Sequence, residues 1–206
     1  MMRKLPADSW IGVFAHPDDE WLAGWPIFQH TDVRLGVVFF VGDNGPTPSL
    51  GSSHWEPNLR SILSDFNIEL LGCLKCLPKF YQSPRQLRTL WRDKLEKILS
   101  SALSGEYAGS GVITHNPLGE YGHPDHIEVH RAVVDICDTT PLVITDLVYG
   151  QVFPRRINSL YYQGKSHGPY HLDKGCWDAA RRAYQNSLHW TVWDVPQKST
   201  ARLYEL

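Results

Sequence analysis

Two short stretches of this chain concentrate residues that bind metals and move protons. One is Ala15-His16-Pro17-Asp18-Asp19-Glu20. The other, residues 115–130, holds His115, Glu120, Tyr121, His123, Pro124, Asp125, His126 and His130. Imidazole nitrogens and carboxylate oxygens are donors that zinc takes, and a catalytic zinc usually keeps three protein ligands and one open position for water. His16 and Asp19 stand three residues apart at a helix start, so both can face one point. His126 is the natural third ligand, and His130, four residues on, competes for that role from deeper in the helix. Asp18 lies one residue off the ligand face and can reach a metal-held water as a base. His123 precedes His126 by three residues and can meet a substrate from the other side. Asp125 can orient a histidine, because ligating imidazoles usually give their second nitrogen to a carboxylate. Bound zinc lowers the pKa of its water toward about 7 and polarises a carbonyl. The chemistry expected is metal-assisted hydrolysis.

Both stretches need a strand to deliver them and a helix to receive them. Residues 11–15 form a short run rich in β-branched and aromatic side chains, read as a buried strand. Pro17 suits the first turn of a helix, and Asp18, Asp19 and Glu20 put negative charge where the helix dipole favours it. Residues 111–114 repeat the pattern as Gly-Val-Ile-Thr, followed by a Gly/Pro-rich turn and then His-Pro-Asp-His opening a helix. Further strands are expected at 33–41, 68–72 and 142–145, with helices at 19–29, 55–66, 84–103, 125–137 and 173–188. Strands alternating with helices imply an α/β fold with a mostly parallel sheet covered on both faces, its turns after strands one, two and four opening on one edge. Beyond residue 150 the pattern is less regular, with a short strand expected at 160–162 and an aromatic tail over 189–206. One domain over residues 1–206 is expected.

Composition narrows the partners. The 206 residues carry a net charge of −2, which argues against a nucleic-acid binder or a polybasic membrane binder. No run approaches the ~18 apolar residues of a membrane span. Pro6, Ala7, Asp8 and Ser9 stand where a signal peptide would have its apolar stretch, so a cytoplasmic protein is expected. Cys73-x-x-Cys76 has no second pair to complete a zinc ribbon and is assigned to structure. Among eight tryptophans, Trp21 and Trp25 have helical core spacing, whereas Trp55, after the loop that follows the second strand, is the candidate for stacking on a sugar face. Homo-oligomerisation is compatible with all of this.

Ala15-His16-Pro17-Asp18-Asp19-Glu20 together with Gly122-His123-Pro124-Asp125-His126 resembles the PIG-L/LmbE-like family of zinc-dependent N-deacetylases over roughly residues 9–150. The resemblance implies a Rossmann-like sheet, zinc held by His16, Asp19 and His126, and Asp18 as the base; ferrous iron is the alternative metal for the same residues. It further implies His123 as acid or oxyanion stabiliser held by Asp125, and Tyr121 as a group that polarises the carbonyl. The implied substrate is a small amide, an N-acetylated sugar conjugate. Two features depart from the family pattern. Residues 55–60 lack an Arg-x-x-Glu, and Asn44-Gly45 replaces an Asp-Gly, so the substrate is left open. Three other readings use the same residues: a non-haem iron enzyme with a two-histidine, one-carboxylate site, a non-catalytic sugar-binding module, and an amidase for acyl groups larger than acetyl.

Overall fold

The computed structural model describes residues 5–30, 32–42, 55–76, 84–137, 141–147, 149, 165–188 and 198–206; at 41–42, 75–76 and 84–91 it describes the backbone alone. At its centre is the first strand, β1 (Ser9–Phe14). Trp10 and Phe14 point to one core, while Ile11, Val13 and Ala15 point to the other. Burial on both faces explains why the strand is an unbroken apolar run. Parallel strands flank it: β2 (Arg34–Gly42) pairs Phe39 with Phe14, and β4 (Gly111–Thr114) pairs Gly111 with Trp10. Glycine is required at 111, because a Cβ there would lie 2.4 Å from the Trp10 ring.

The sheet has seven strands in the order Ile68–Cys76 (β3), β2, β1, β4, Leu142–Thr145 (β5), Thr200–Glu205 (β7) and Ser166–His171 (β6). β3 (Ile68–Cys76) and β5 (Leu142–Thr145) continue the parallel part outward on either side. The chain winds one way from β1 to β3 and the other way from β4, so a crevice opens beyond the carboxyl ends of β1 and β4. Open α/β sheets bind ligands at such a switch point. The α/β, Rossmann-like, mostly parallel sheet is therefore as expected.

Two expectations change. The single helix over 19–29 is two short ones, α1 (Asp19–Leu22) and α2 (Trp25–Phe28). Gly24 and Pro26 break it: one favours non-helical backbone, and the other has no N–H to continue the ladder. Every residue of both helices is buried, so no solvent face exists. The end of the chain is also more regular than its sequence implied. β6 (Ser166–His171) and β7 (Thr200–Glu205) add two antiparallel strands beyond β5. β6 carries Gly168 and Pro169, residues that strand patterns exclude except at an edge. The strand expected at 160–162, the tail over 189–197 and the turn at 43–45 lie outside the described residues.

The helices cover both faces. α3 (Trp55–Asp65), α1, α2 and α7 (Lys174–Leu188) close one core, and α4 (Pro84–Ser104) and α6 (Pro124–Ile136) close the other. Trp21 and Trp25 are core residues as expected. Trp55 is 1% exposed within the first core and has no face for a sugar. Among the described residues, no helix is long and apolar enough to cross a membrane.

Candidate metal centre

The first turn is built around one carboxylate. Where β1 ends, the Asp19 side chain folds back and its Oδ2 accepts the His16 backbone N–H (2.8 Å), while Asp19 N–H donates to the His16 carbonyl (3.2 Å). Asp18 spans this closure with φ 101°, a region that costs a non-glycine residue about 1–3 kcal/mol. The Glu20 carboxylate holds it there, accepting the Asp18 N–H (2.9 Å). Asp18, Asp19 and Glu20 are all buried.

The second turn comes off β4 and is tied to the first strand end. Thr114 Oγ1 donates to the Val13 carbonyl (2.8 Å), and the Ala15 N–H donates to His115 Nε2 (2.9 Å). His115 must then carry its proton on Nδ1, which faces Glu120 Oε2 at 2.8 Å. His126 Nδ1 donates to the same Oε2 at 2.7 Å, and Asn116 N–H donates to Oε1 at 3.0 Å. Glu120 reaches these partners from a left-handed backbone, φ 56°, inside the short α5 (Gly119–Gly122). Pro124 then opens α6, with the His123 ring accepting the Asp125 N–H (3.2 Å).

Across the crevice these groups converge. Asp19 Oδ2 lies 3.4 Å from His16 Nδ1 and 3.4 Å from His126 Nε2. Tetrahedral ligands about 2.0–2.1 Å from zinc lie roughly 3.3 Å apart, so both separations suit one ion. His126 Nε2 is buried with no hydrogen-bond partner, and its Nδ1 is committed to Glu120, so a bare lone pair faces a carboxylate oxygen. A cation between them removes that conflict. Ligand atoms of Asp19, His115 and His126 also lie within 4.8 Å of one another. The His115 Nε2 lone pair, however, is taken by Ala15 N–H, so His115 is a wall of the site. Ring nitrogens of His16, His123 and His126 form a second group of the same size. The two groups share His126, and Asp19 Oδ2 lies 3.4 Å from a ring nitrogen of each of His16, His115 and His126, so these donors together could hold a divalent cation.

Electrostatics follow this arrangement. Burial works to lower the His16 pKa, but its bonds to Asp125 and Asp19 outweigh it and raise the value to about 10. Burial works to raise Asp19, and the nearby His126 and His115 hold it well below the usual carboxylate range instead. Burial lowers His126. It likewise depresses His123, with His126 and His16 adding to the shift, down to about 4. Glu120 is held at about 2 because its histidine partners outweigh the cost of burial. Burial and then the charges of Asp19, Asp18, Glu120 and Asp125 keep the Tyr121 phenol above its usual value.

All seven site residues expected from sequence lie in or beside this crevice. The His123 ring centre is 4.6 Å from that of His126 and 5.0 Å from that of His16. The Tyr121 ring is 5.3 Å from His126 and 5.6 Å from His123. The Asp125 carboxylate lies nearer His16 Nε2 (3.3 Å) than His123 Nδ1 (4.0 Å). His130 stands behind the site, its Nδ1 donating to the His115 carbonyl (2.7 Å). Glu120, Glu20 and Tyr184, whose hydroxyl donates to Glu20 Oε1, have site contacts that sequence reasoning missed. Glu20 and Glu120 each carried a signal, as acidic residues inside the two metal-seeking stretches, and Tyr184 carried none.

No family model matches the chain. In sequence it is similar to the 1D-myo-inositol 2-acetamido-2-deoxy-alpha-D-glucopyranoside deacetylase of Streptomyces avermitilis, 26% identical over 158 residues, 65% of this chain and 54% of that protein. It is also similar to the probable N-acetylglucosaminyl-phosphatidylinositol de-N-acetylase of Schizosaccharomyces pombe, 30% identical over 146 residues, 68% and 56% of the two chains. The chain spans about half the length of the curated relatives it matches. In fold it is similar to an antimicrobial-reagent pseudoaglycone deacetylase, TM-score 0.64 at 14% identity over 96% of both chains. The N,N'-diacetylchitobiose deacetylase of Pyrococcus horikoshii gives TM-score 0.54 at 15% identity, over 92% of this chain and 73% of that one. The fold is shared with these structures and the sequence pattern with the curated deacetylases, and both likenesses are consistent with the PIG-L/LmbE-like family of N-deacetylases.

Proposed function

We propose that residues 1–206 act as one domain, a zinc-dependent hydrolase that removes an N-acetyl or related N-acyl group from an amino-sugar conjugate. The observation that carries this reading is the bare, buried Nε2 of His126 facing Asp19 Oδ2 at 3.4 Å. His16, Asp19 and His126 would hold the ion. When bound, zinc supplies a water of lowered pKa and polarises the amide carbonyl. Asp18 accepts the proton of the attacking water as the new C–O bond forms, and that proton passes to the amine nitrogen as the C–N bond breaks. The products are the free acid and the amine. His123 Nδ1 accepts the Asp125 N–H, so a neutral His123 carries its proton on Nε2 and donates to the developing oxyanion. Burial favours the neutral ring, which agrees with this role. Tyr121, still protonated, is the second donor, half-exposed at the mouth.

The test is release of acid and free amine from a panel of N-acetylated and longer N-acyl sugar conjugates. Chelator-stripped protein is assayed after loading with zinc or with ferrous iron. Release from at least one conjugate, dependent on metal, supports the reading. No release from any conjugate with either metal would sink it. Oxygen-dependent turnover with iron alone would favour the iron enzyme instead.

A further inference from the structure

We infer that Tyr184 is a positioning residue for the reaction proposed above, acting through Glu20 to hold Asp18. α7 belongs to the part of the chain to which the two metal-seeking turns assign nothing. Its buried residues Trp177, Ala180, Tyr184 and Leu188 recur at helical spacing and seat it in the first core. That stripe fixes the height of Tyr184, which is fully buried. Its hydroxyl donates to Glu20 Oε1, and the other Glu20 oxygen accepts the Asp18 N–H at 2.9 Å. One buried carboxylate thus joins the C-terminal helix to the backbone of the proposed base. Asp18 needs such a restraint because its φ of 101° is one that a non-glycine residue abandons when released. Burial, reinforced by Glu20, keeps the Tyr184 phenol far above its usual pKa, so it stays a donor. Neither Tyr184 nor Glu20 is exposed to a substrate.

The experiment compares wild type with Tyr184→Phe, which deletes one oxygen and keeps the ring. Amide hydrogen exchange is followed alongside deacetylation kinetics on the zinc-loaded protein. Exchange at residues 18–22 should accelerate about tenfold while β1 and α6 are unchanged. The kcat should fall roughly 10–100-fold with KM held within about twofold, as expected for a misplaced reacting group. Unchanged exchange at 18–22 overturns the inference, as does uniform acceleration through β1 and α6, which marks a general loosening. If Tyr184→Phe does not fold, Glu20→Ala carries the same measurements, because it removes both oxygens that link Tyr184 to the Asp18 N–H. Wild type inactive on every conjugate would refute the deacetylase reading, and the exchange measurement would still decide whether Tyr184 holds Asp18.

Discussion

His115 lies flat against His126, with ring centres 3.9 Å apart and planes inclined by 19°. Both rings direct Nδ1 to a single oxygen of Glu120. Their other nitrogens are therefore aimed by the same carboxylate, yet they meet different fates. That of His115 is closed by a backbone N–H, whereas that of His126 is left bare toward Asp19.

Ligand assignment follows from this difference. His16→Ala, Asp19→Ala and His126→Ala should each lower metal content, measured by elemental analysis after dialysis. His115→Ala and His130→Ala should keep the metal, because the His115 Nε2 lone pair accepts the Ala15 N–H and His130 gives its Nδ1 to the His115 carbonyl and belongs to neither donor group. Metal lost from His115→Ala but kept in His16→Ala would mean that the Asp19, His115 and His126 group is the true site.

The adjacent carboxylates Asp18 and Asp19 should separate chemistry from binding. Asp18→Asn keeps shape and removes the proton acceptor, so kcat should fall roughly 10²–10⁴-fold with metal retained. Asp19→Asn replaces a charged ligand by a weaker neutral one, and excess zinc should restore part of its activity. Kinetics with and without added zinc decide the matter. Rescue of Asp18→Asn by zinc would reverse the assignment.

Glu120 should be felt in both metal affinity and acid stability. Glu120→Gln can no longer accept from both histidines as an anion, and a loss of about 10–100-fold in zinc affinity is expected from chelator competition. Its folded pKa of about 2 lies below the ordinary 4.5. The resulting stabilisation of the metal-free protein is present above pH 4.5 and is lost as pH falls toward 2. Its size is about 3 kcal/mol. In urea titrations over that window, the slope of unfolding free energy against pH should be smaller in the variant than in wild type. Equal slopes would mean that folding leaves the Glu120 pKa unshifted.

His123→Ala should lower kcat about 10²–10³-fold, the worth of one oxyanion donor, with metal content unchanged. Because its pKa is about 4, any alkaline limb of the pH–rate profile belongs to another group and should survive the substitution. A profile from pH 6 to 10 that loses its alkaline limb in the variant would restore His123 as a charged acid.

The sequence by itself determined the five parallel strands and the metal-seeking residue types. Apolar runs such as 11–15 and 111–114 are buried on both faces, and burial on both faces is visible as composition alone. The metal-seeking residues were legible because they cluster at the two strand ends that the winding of the sheet makes neighbours. What the tertiary structure decided is which nitrogen and which oxygen face inward. Glu120 depends on a left-handed backbone that no local propensity favours, so its shared bond to His115 and His126 was invisible. Tyr184 stands 164 residues from Glu20, and no local pattern pairs residues so far apart. Trp55 showed the reverse error: a loop-flanking tryptophan suggested a sugar face, but packing beneath α3 removed it from solvent. β6 escaped notice because an edge strand buries little and tolerates Gly168 and Pro169, leaving hydrogen bonds to β7 to define it. Pattern records what a residue's neighbours in the chain require of it. Contacts between distant segments exist only once the sheet has closed.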